Sequence, residues 1–252
     1  MSLINRIFRK PELIGYSVIE TDIHSHYLPG VDDGCKETEE SLLLLKRMYE
    51  CGFRKIFCTP HIQSEYYRNS RENILPVFDK LRDAVSDAIP GLELDVAAEY
   101  LIDDGFERKV KDGLIFLGNN KHVLVELSYF NPFPKFRNVL QDVLMKGYTP
   151  VLAHPERYLY WPVDEKVFED LHAAGVLIQV NLPSLCGYYG PEVRKRAFDM
   201  IEKGFVSLAG SDIHNVHYAD AVCDGLNNKK VQSILKSGVF KNSEIFGSKS
   251  AV

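Results

Sequence analysis

The sequence lacks a long apolar segment. No run of about 18 apolar residues occurs, and residues 1–10 are basic but lack the apolar stretch of a secretory signal. We therefore expect a cytoplasmic protein with no membrane insertion. Long basic tracts are also absent. The 35 acidic and 30 basic residues give a net charge of −5, so nucleic acid is not an expected partner.

Cysteine is scarce in this chain. Its five cysteines stand at irregular positions and do not form the framework of a disulfide-rich domain, so we expect free thiols. A cysteine phosphatase is excluded, because its phosphate loop needs an arginine six residues after the nucleophile. The residues at that distance are Ser41, Phe57, Ser64, Glu192 and Lys229. A glycine-rich nucleotide loop is missing as well, which argues against a kinase or NTPase.

Segments rich in Val, Ile and Leu alternate with segments of helical period. The predicted strands are 18–24, 55–59, 92–98, 122–127, 149–153, 176–181 and 206–209. The predicted helices are 38–50, 71–88, 106–111, 135–146, 165–174 and 191–203. Because these strands do not alternate apolar with polar residues, we expect a parallel sheet buried on both faces. Glycine follows several of the helices, as expected at a helix end: Gly52, Gly147, Gly175 and Gly204.

This alternation is typical of α/β proteins. We interpret residues 1–252 as one domain, either a parallel barrel or a doubly wound sheet, since α/β barrels use about 250 residues. Residues 1–17 are predicted to form an N-terminal extension and residues 240–252 a peripheral C-terminal tail.

Imidazoles and carboxylates follow six of the seven predicted strands. The nine candidate metal ligands are His24, His26, Asp33, His61, Glu99, Glu126, His154, Asp212 and His214. The carboxyl ends of parallel strands meet at one edge of a sheet or barrel, so these side chains are expected to lie together. Two histidines separated by one residue on a strand also point to the same face. Buried charges need partners, and a cluster of metal ions would supply them.

Mixed imidazole and carboxylate ligands favour manganese, iron or zinc over calcium. Two or three such ions lower the pKa of water and hold the oxygens of a transferring phosphoryl group. Phosphoester hydrolysis is therefore the predicted chemistry. Arg157 stands three residues after His154, and we predict that its guanidinium group binds phosphate oxygens.

Five short motifs resemble one known family. They are Asp-Ile-His-Ser-His at 22–26, Val-Asp-Asp-Gly at 31–34, Thr-Pro-His at 59–61, Ala-His-Pro-Glu-Arg at 153–157 and Ser-Asp-Ile-His at 211–214. As a set they resemble the polymerase and histidinol phosphatase (PHP) superfamily, and within it the capsule-type bacterial protein-tyrosine phosphatases. The resemblance covers residues 18–227.

The resemblance implies an α/β fold, a distorted seven-stranded (β/α) TIM-like barrel. It implies a metal-dependent phosphatase with two or three divalent or trivalent ions, manganese or iron first, with zinc and magnesium as alternatives. The nine candidates would be the ligands, with Glu99 as a bridge between two ions and Arg157 on the phosphate. The implied substrate is phosphotyrosine on the tyrosine-rich tail of a bacterial autokinase that controls capsule or exopolysaccharide export. Three candidate proton donors to the leaving phenolate stay open: His61, His154 and a metal-bound water.

One feature departs from the family pattern. Some relatives carry a second phosphate-binding arginine shortly after the last Asp-x-His, whereas this chain has no arginine after Arg196. Three alternatives stay open: His217 replaces it, a lysine such as Lys229 replaces it, or Arg157 acts alone.

Aromatic residues are concentrated just after the second, fourth and fifth strands. They are Tyr66, Tyr67, Tyr129, Phe130, Phe133, Tyr158, Tyr160 and Trp161. Some of them are expected to flank a phosphotyrosyl ring, although aromatic residues in loops more often pack locally.

Two other functions fit the same residues. A small-molecule phosphatase, for example one acting on histidinol phosphate, would use the same metal ions. A non-catalytic, metal-stabilised scaffold would bind a kinase tail without turning it over, but the complete ligand set argues against this function. A nuclease is disfavoured by the acidic net charge.

Overall fold

The computed structural model describes residues 14–119, 121–131, 133–163 and 166–247. Its strands are β1 (Thr21–Asp22), β2 (Lys55–Cys58), β3 (His61–Ile62), β4 (Glu93–Val96), β5 (Glu99–Leu101), β6 (His122–Glu126), β7 (Thr149–Ala153), β8 (Leu177–Asn181) and β9 (Leu208–Gly210). Its helices are α1 (Thr38–Glu50), α2 (Arg71–Ala88), α3 (Phe106–Asp112), α4 (Phe136–Met145), α5 (Lys166–Ala173), α6 (Leu182–Cys186), α7 (Pro191–Glu202), α8 (Val216–Gly225), α9 (Lys229–Ser237) and α10 (Asn242–Phe246). Single 3-10 turns occur at Tyr16–Val18 and Pro155–Arg157.

The nine strands occupy seven positions, because two positions are interrupted. β2 and β3 are separated by Thr59 and Pro60, and β4 and β5 by Ala97 and Ala98. Pro60 has no N–H group to donate to a neighbouring strand, which accounts for a break at this point. Hydrogen bonds from Ala97 N to the Cys58 carbonyl (2.9 Å) and from Glu99 N to the Pro60 carbonyl (3.1 Å) keep the two positions side by side.

The seven positions follow one another as parallel neighbours from β1 to β9. The chain just after β1 then pairs with the chain just after β9 through a parallel bridge between Ser25 and Ile213. Asp212 N donates to the His24 carbonyl (2.7 Å) and His26 N to the Ile213 carbonyl (3.0 Å). The first and last positions are therefore joined in a distorted seven-stranded (β/α) barrel, and the predicted fold class is confirmed.

The strands are buried on both faces, as their continuous apolar sequences predict. All residues of β2 and all residues of β6 are buried. α2 turns Ile74, Phe78, Leu81 and Val85 toward the core, at the spacing of one helical face. The four glycines predicted to end helices all have positive φ, for example 76° at Gly147 after α4.

The first strand is shorter than predicted. Residues 18–24 were expected to be extended, but only Thr21–Asp22 pairs as β1. The chain before it forms the 3-10 turn Tyr16–Val18, and Glu20 has a φ of 56°, which is outside the extended region. Tyr16 is fully buried and donates to the Val222 carbonyl (2.7 Å), so the extension predicted over residues 1–17 contributes to the core at Tyr16. Residues 1–13 lie outside the described residues.

Residues 240–252 were predicted to form a peripheral tail. This prediction is wrong for the first part of that segment, which packs against the barrel. Asn242 and Phe246 of α10 are buried, and Phe246 packs with Ile23, Phe57 and Leu124. Asn242 Nδ2 donates to the carbonyls of Thr21 (2.8 Å) and Ala209 (2.7 Å), which ties α10 to β1 and β9. Two adjacent apolar residues, Ile245 and Phe246, in a short polar segment give no periodic signal, so this helix was not apparent in the sequence. Residues 248–252 lie outside the described part of the chain.

Two of the five cysteines are paired. Cys51, at the end of α1, forms a disulfide with Cys223 on α8, with their Cα atoms 6.2 Å apart. The predicted free thiols are confirmed for Cys35, Cys58 and Cys186 and wrong for this pair. The sequence separation of 172 between the two partners explains why spacing gave no indication of it. None of the helices within the described ranges has the length and apolarity needed to cross a bilayer.

Candidate active site

The closing seam between β1 and β9 brings four of the nine predicted ligands together. His24 and His26 follow β1, and Asp212 and His214 follow β9. His24 Nε2 lies 3.3 Å from Asp212 Oδ1, and His26 Nε2 lies 3.5 Å from the same oxygen. Asp212 has a φ of 50°, a conformation that non-glycine residues rarely adopt. Such strain is typical of functional sites, where the surrounding structure enforces it.

Glu99 lies at the centre of the cluster and is fully buried. Its Oε1 is 3.0 Å from His154 Nε2. Its Oε2 is 3.1 Å from His61 Nδ1 and 3.2 Å from His24 Nε2. One carboxylate thus faces imidazoles from three strand ends, which is the position expected of a bridging ligand.

The donor atoms fall into four groups, each compact enough to hold an ion. The groups are His26, Asp33, His61 and His214; His24, Glu99 and His154; His24, His26 and Asp212; and His61, Glu99 and Glu126. Within the described residues, these groups contain all nine predicted ligands and no other residue. The strand-end pattern therefore located the cluster, and the role of each residue as a ligand stays a prediction.

The charges in this cluster depend on one another. Burial alone would raise the pKa of Asp212 and of Glu99, but the nearby imidazoles hold both well below their usual range. Burial alone would lower the pKa of His26, but Asp32 and the other carboxylates raise it well above its usual value. His26 thus binds a proton that a metal ion would displace.

Two buried donor atoms support the fit to metal ions. His61 Nδ1 and Glu99 Oε2 lie 3.1 Å apart, but their geometry is not that of a hydrogen bond, and neither atom has another hydrogen-bond partner among the described residues. Buried polar atoms without partners are costly, and a shared cation satisfies both. The donor set of imidazoles and carboxylates suits manganese, iron or zinc.

The residues that orient the ligands were not apparent in the sequence motifs. His24 Nδ1 lies 3.0 Å from Gln179 Oε1, which leaves Nε2 directed at the cluster. His26 Nδ1 lies 2.8 Å from Asp32 Oδ2, and the same oxygen accepts from His61 N (3.0 Å). Such partners fix the tautomer and the direction of metal-binding imidazoles. Asp32 is next to the predicted ligand Asp33, and the Asp-Asp pair was the only available signal for it.

The cluster forms one wall of a cavity of about 320 Å³. It is lined by Asp33, His61, Gln63, Tyr67, Glu126, Tyr129, His154, Arg157, Asp212, His214, Asn215 and Tyr218. Of the described residues that line it, Arg157 is the only lysine or arginine. His217 is exposed and neither it nor Lys229 lines the cavity, so of the three alternatives left open the structure favours Arg157 acting alone.

Arg157 is held between two aromatic rings. Its guanidinium carbon lies 4.4 Å from the centre of the Tyr129 ring and 4.2 Å from that of Tyr189. Its Nη1 donates to Asp212 Oδ2 (3.2 Å). This geometry fixes the position of the Arg157 guanidinium group beside the cluster. Tyr189 was not identified from the sequence.

The predicted aromatic residues divide into three sets. Tyr67 and Tyr129 line the cavity, and Tyr67 stacks on His61 with ring centres 5.4 Å apart. Tyr158 and Trp161 are buried, Tyr160 and Phe133 are partly buried, and none of these four lines the cavity. Tyr66 and Phe130 are exposed outside the cavity.

A family comparison agrees with this geometry. The family model described as capsular polysaccharide synthesis, CpsB/CapC, matches residues 20–232. The chain belongs to this family. Its resemblance to capsule-type bacterial tyrosine phosphatases, inferred above from five motifs, is thereby confirmed.

Individual members of the CpsB/CapC family are similar over most of their length. The tyrosine-protein phosphatase CpsB of Streptococcus pneumoniae is 32% identical over 201 residues, covering 77% of this chain and 83% of that protein. The tyrosine-protein phosphatase YwqE of Bacillus subtilis is 29% identical over 202 residues, covering 77% of each.

Solved structures show the same fold. A crystal structure from a study of YwqE and CpsB, described there as metal-dependent tyrosine phosphatases, matches with a TM-score of 0.76 at 23% identity, covering 90% of this chain and 94% of that one. The phosphotriesterase homology protein of Escherichia coli, with phosphate in its active site, matches with a TM-score of 0.52 at 12% identity, covering 94% and 100%.

Proposed function

We propose that this protein is a metal-dependent protein-tyrosine phosphatase of capsule or exopolysaccharide biosynthesis. The observation that carries the proposal is the cluster of nine imidazole and carboxylate side chains, six of which line the cavity together with Arg157. The relatives named tyrosine-protein phosphatases support the same activity.

The proposed cofactor is a set of two or three ions, manganese or iron, held by the nine predicted ligands. When bound, such ions lower the pKa of water and stabilise negative charge on phosphoryl oxygens. Glu99 is suited to contact more than one ion, because its two oxygens face different imidazoles.

Arg157 is proposed to bind the phosphoryl oxygens that point away from the cluster. Its planar fork can donate two parallel hydrogen bonds to a phosphate. The rings of Tyr129 and Tyr189 leave the guanidinium edge as its free donor surface. The substrate is thereby oriented with its phosphorus toward the carboxylate cluster.

The leaving phenolate is proposed to take a proton from His61 or His154, which both line the cavity. His154 Nδ1 is buried and has no partner within the described residues. A phenolate with a pKa near 10 needs less protonation than an alkoxide, so this step is not demanding.

The proposed substrate is a phosphotyrosine in the tyrosine-rich tail of a bacterial autokinase, and the proposed location is the cytoplasm. The relatives named tyrosine-protein phosphatases support a protein substrate. The cavity volume of about 320 Å³ is enough for a single phosphorylated side chain.

The deciding experiment compares a phosphotyrosine peptide with histidinol phosphate as substrates of the manganese-reconstituted protein. The matched blank is the double variant His24→Ala, His26→Ala, which removes two predicted ligands. Metal-dependent phosphate release, faster from the peptide, is the expected result. Faster release from histidinol phosphate would assign a small-molecule phosphatase, and metal binding with no release from either would leave the binding scaffold.

A further inference from the structure

Exposed apolar side chains are concentrated around the cavity. Nine large apolar side chains are exposed among the described residues. Five of them stand on the segments that follow the strand ends carrying the cluster: Tyr66, Tyr129, Phe130, Leu159 and Val216. Phe130 is 90% exposed and Tyr66 81% exposed. Clustered exposed aromatic residues on a monomer mark interaction surfaces.

A second cavity of about 500 Å³ shares one lining residue with the first. Gln63 lines both cavities, and its Nε2 donates to Glu126 Oε1 (3.2 Å) in the cluster. Tyr66, Leu101 and Phe133 give the second cavity an apolar wall. Phe130 stands between Tyr129, which lines the first cavity, and Asn131, which lines the second.

The second cavity is acidic. Glu65, Asp103 and Asp104 line it, and no lysine or arginine does among the described residues. Glu65 and Asp104 are exposed, whereas Asp103 already accepts hydrogen bonds from Ser64 and Gly105. The two exposed carboxylates favour a neutral or positively charged occupant and disfavour an acidic one.

We propose that Tyr66, Phe130 and the second cavity form a docking surface for the polypeptide that carries the phosphotyrosine. The occupant is the segment next to that residue, with apolar or basic side chains. This inference rests on the proposed phosphatase function and deepens it. A small phosphate ester would fit inside the first cavity and would not reach Phe130, so such a surface serves a macromolecular substrate.

The test uses the double variant Tyr66→Ser, Phe130→Ser in the full chain loaded with manganese. Neither residue lines the catalytic cavity. The value of kcat/KM for a phosphotyrosine peptide with leucine and lysine neighbours is expected to fall about tenfold, through KM, because exposed aromatic anchors contribute strongly to such interfaces. The value for p-nitrophenyl phosphate, which reaches only the first cavity, is expected to stay within about twofold.

The matched control is Leu43→Ser, Met145→Ser, which removes two exposed apolar side chains far from the strand ends. It is expected to leave both substrates unaffected. An unchanged peptide kcat/KM in the Tyr66, Phe130 variant, or an equal loss for both substrates, would overturn the docking surface.

Failure of the function itself gives a different result. If the wild-type protein hydrolyses neither substrate with metal bound, the phosphatase proposal is refuted. Binding of the same peptide is then measured directly by fluorescence anisotropy, and equal dissociation constants for wild type and variant would also refute the docking surface.

Discussion

Asp212 uses its two carboxylate oxygens for different partners. Oδ1 faces His24 and His26 in the cluster. Oδ2 accepts hydrogen bonds from Asn181 Nδ2 (2.7 Å), Arg157 Nη1 (3.2 Å) and Tyr189 Oη (3.4 Å). The proposed ligand and the proposed phosphate-binding residue are therefore oriented by the same oxygen.

Tyr189 is expected to position Arg157, and two variants separate its ring from its hydroxyl group. Tyr189→Leu removes the ring, so we expect weaker inhibition by phosphate or vanadate, about three- to tenfold, because a stacked cation contributes about 1 kcal/mol. Tyr189→Phe keeps the ring and is expected to retain most of the inhibition. Metal content should be unchanged in both, since Asn181 still holds Asp212. Equal inhibition constants for Leu and Phe variants would contradict this role.

Asp22 is predicted to make stability depend on pH. Its Oδ1 accepts from the N–H groups of His24 and Ser211, but Oδ2 has no partner among the described residues. Burial raises its pKa from 3.8 to about 6. The folded chain therefore keeps a proton that the unfolded chain loses near pH 4, and this contribution to the free energy of unfolding is lost as pH rises through about 6.

In the variant Asp22→Asn the side chain is an amide, which stays neutral and does not titrate between pH 4 and pH 7. Relative to wild type, its free energy of unfolding is expected to rise by up to about 3 kcal/mol between pH 4 and pH 7. Urea unfolding of chelator-treated protein at several pH values measures this difference. Asp83→Asn, at a carboxylate that is 78% exposed, is the control and should show no such change. A pH-independent difference for Asp22→Asn would be the contrary result.

At the residue scale, the sequence located the residues of the cluster but not those that orient them. His24, His61 and Asp212 could be predicted because polar residues at parallel strand ends must converge. Gln179 and Asn181 could not, because they lie on β8, the one strand position without a predicted ligand. Their role depends on contacts across the barrel, which spacing along the chain does not report.

At the scale of elements, α10 closes the end of the barrel opposite the cluster. Phe246 contacts Phe57 and His122, with ring centres 6.1 and 4.9 Å away, and it is 4% exposed. Asn242 supplies three hydrogen bonds to β1 and β9, since its Oδ1 also accepts from Ala209 N (3.1 Å). This short helix therefore helps to join the first and last strands.

Phe246→Ala is expected to lower the free energy of unfolding by about 3 kcal/mol, because it opens a cavity among buried side chains. The matched control is Glu244→Ala on the exposed face of the same helix, expected to cost less than about 0.5 kcal/mol. Chemical denaturation of the three proteins gives both values. A loss for Phe246→Ala no larger than that of the control would show that α10 is dispensable.

Element boundaries were predicted well where sequence signals were local. Thr149–Ala153 agrees with the predicted strand, and four helices end at the expected glycines. The boundaries of the first strand and of α10 were not predicted well, because the backbone conformation at Glu20 and the docking of α10 depend on tertiary contacts.

At the scale of the whole molecule, the cluster concentrates ionisable groups in an otherwise ordinary core. Because the raised pKa values of His26 and His61 let protons compensate the carboxylates, metal ions and protons compete for the same site. Metal binding should therefore strengthen as pH rises.

Removal of metal by a chelator is expected to abolish phosphate release and to lower Tm by about 5–15 °C. The shift in Tm should be larger near pH 8 than near pH 6, because the imidazoles then hold fewer competing protons. Differential scanning fluorimetry with manganese add-back measures it, and the His24→Ala, His26→Ala variant should not respond. A wild-type protein that keeps its Tm and activity after complete stripping would contradict the proposed metal site.

The bridge between Ser25 and Ile213 also has a consequence for biosynthesis. His24 and Ser211 are 187 residues apart in the chain, and their contact completes both the barrel and the cluster. At ribosomal rates of about 5–20 residues per second, His24 and His26 are synthesised roughly ten to forty seconds before their partners after β9. The complete cluster therefore forms only after β9 and the residues that follow it have been synthesised, because a shorter nascent chain lacks Asp212 and His214.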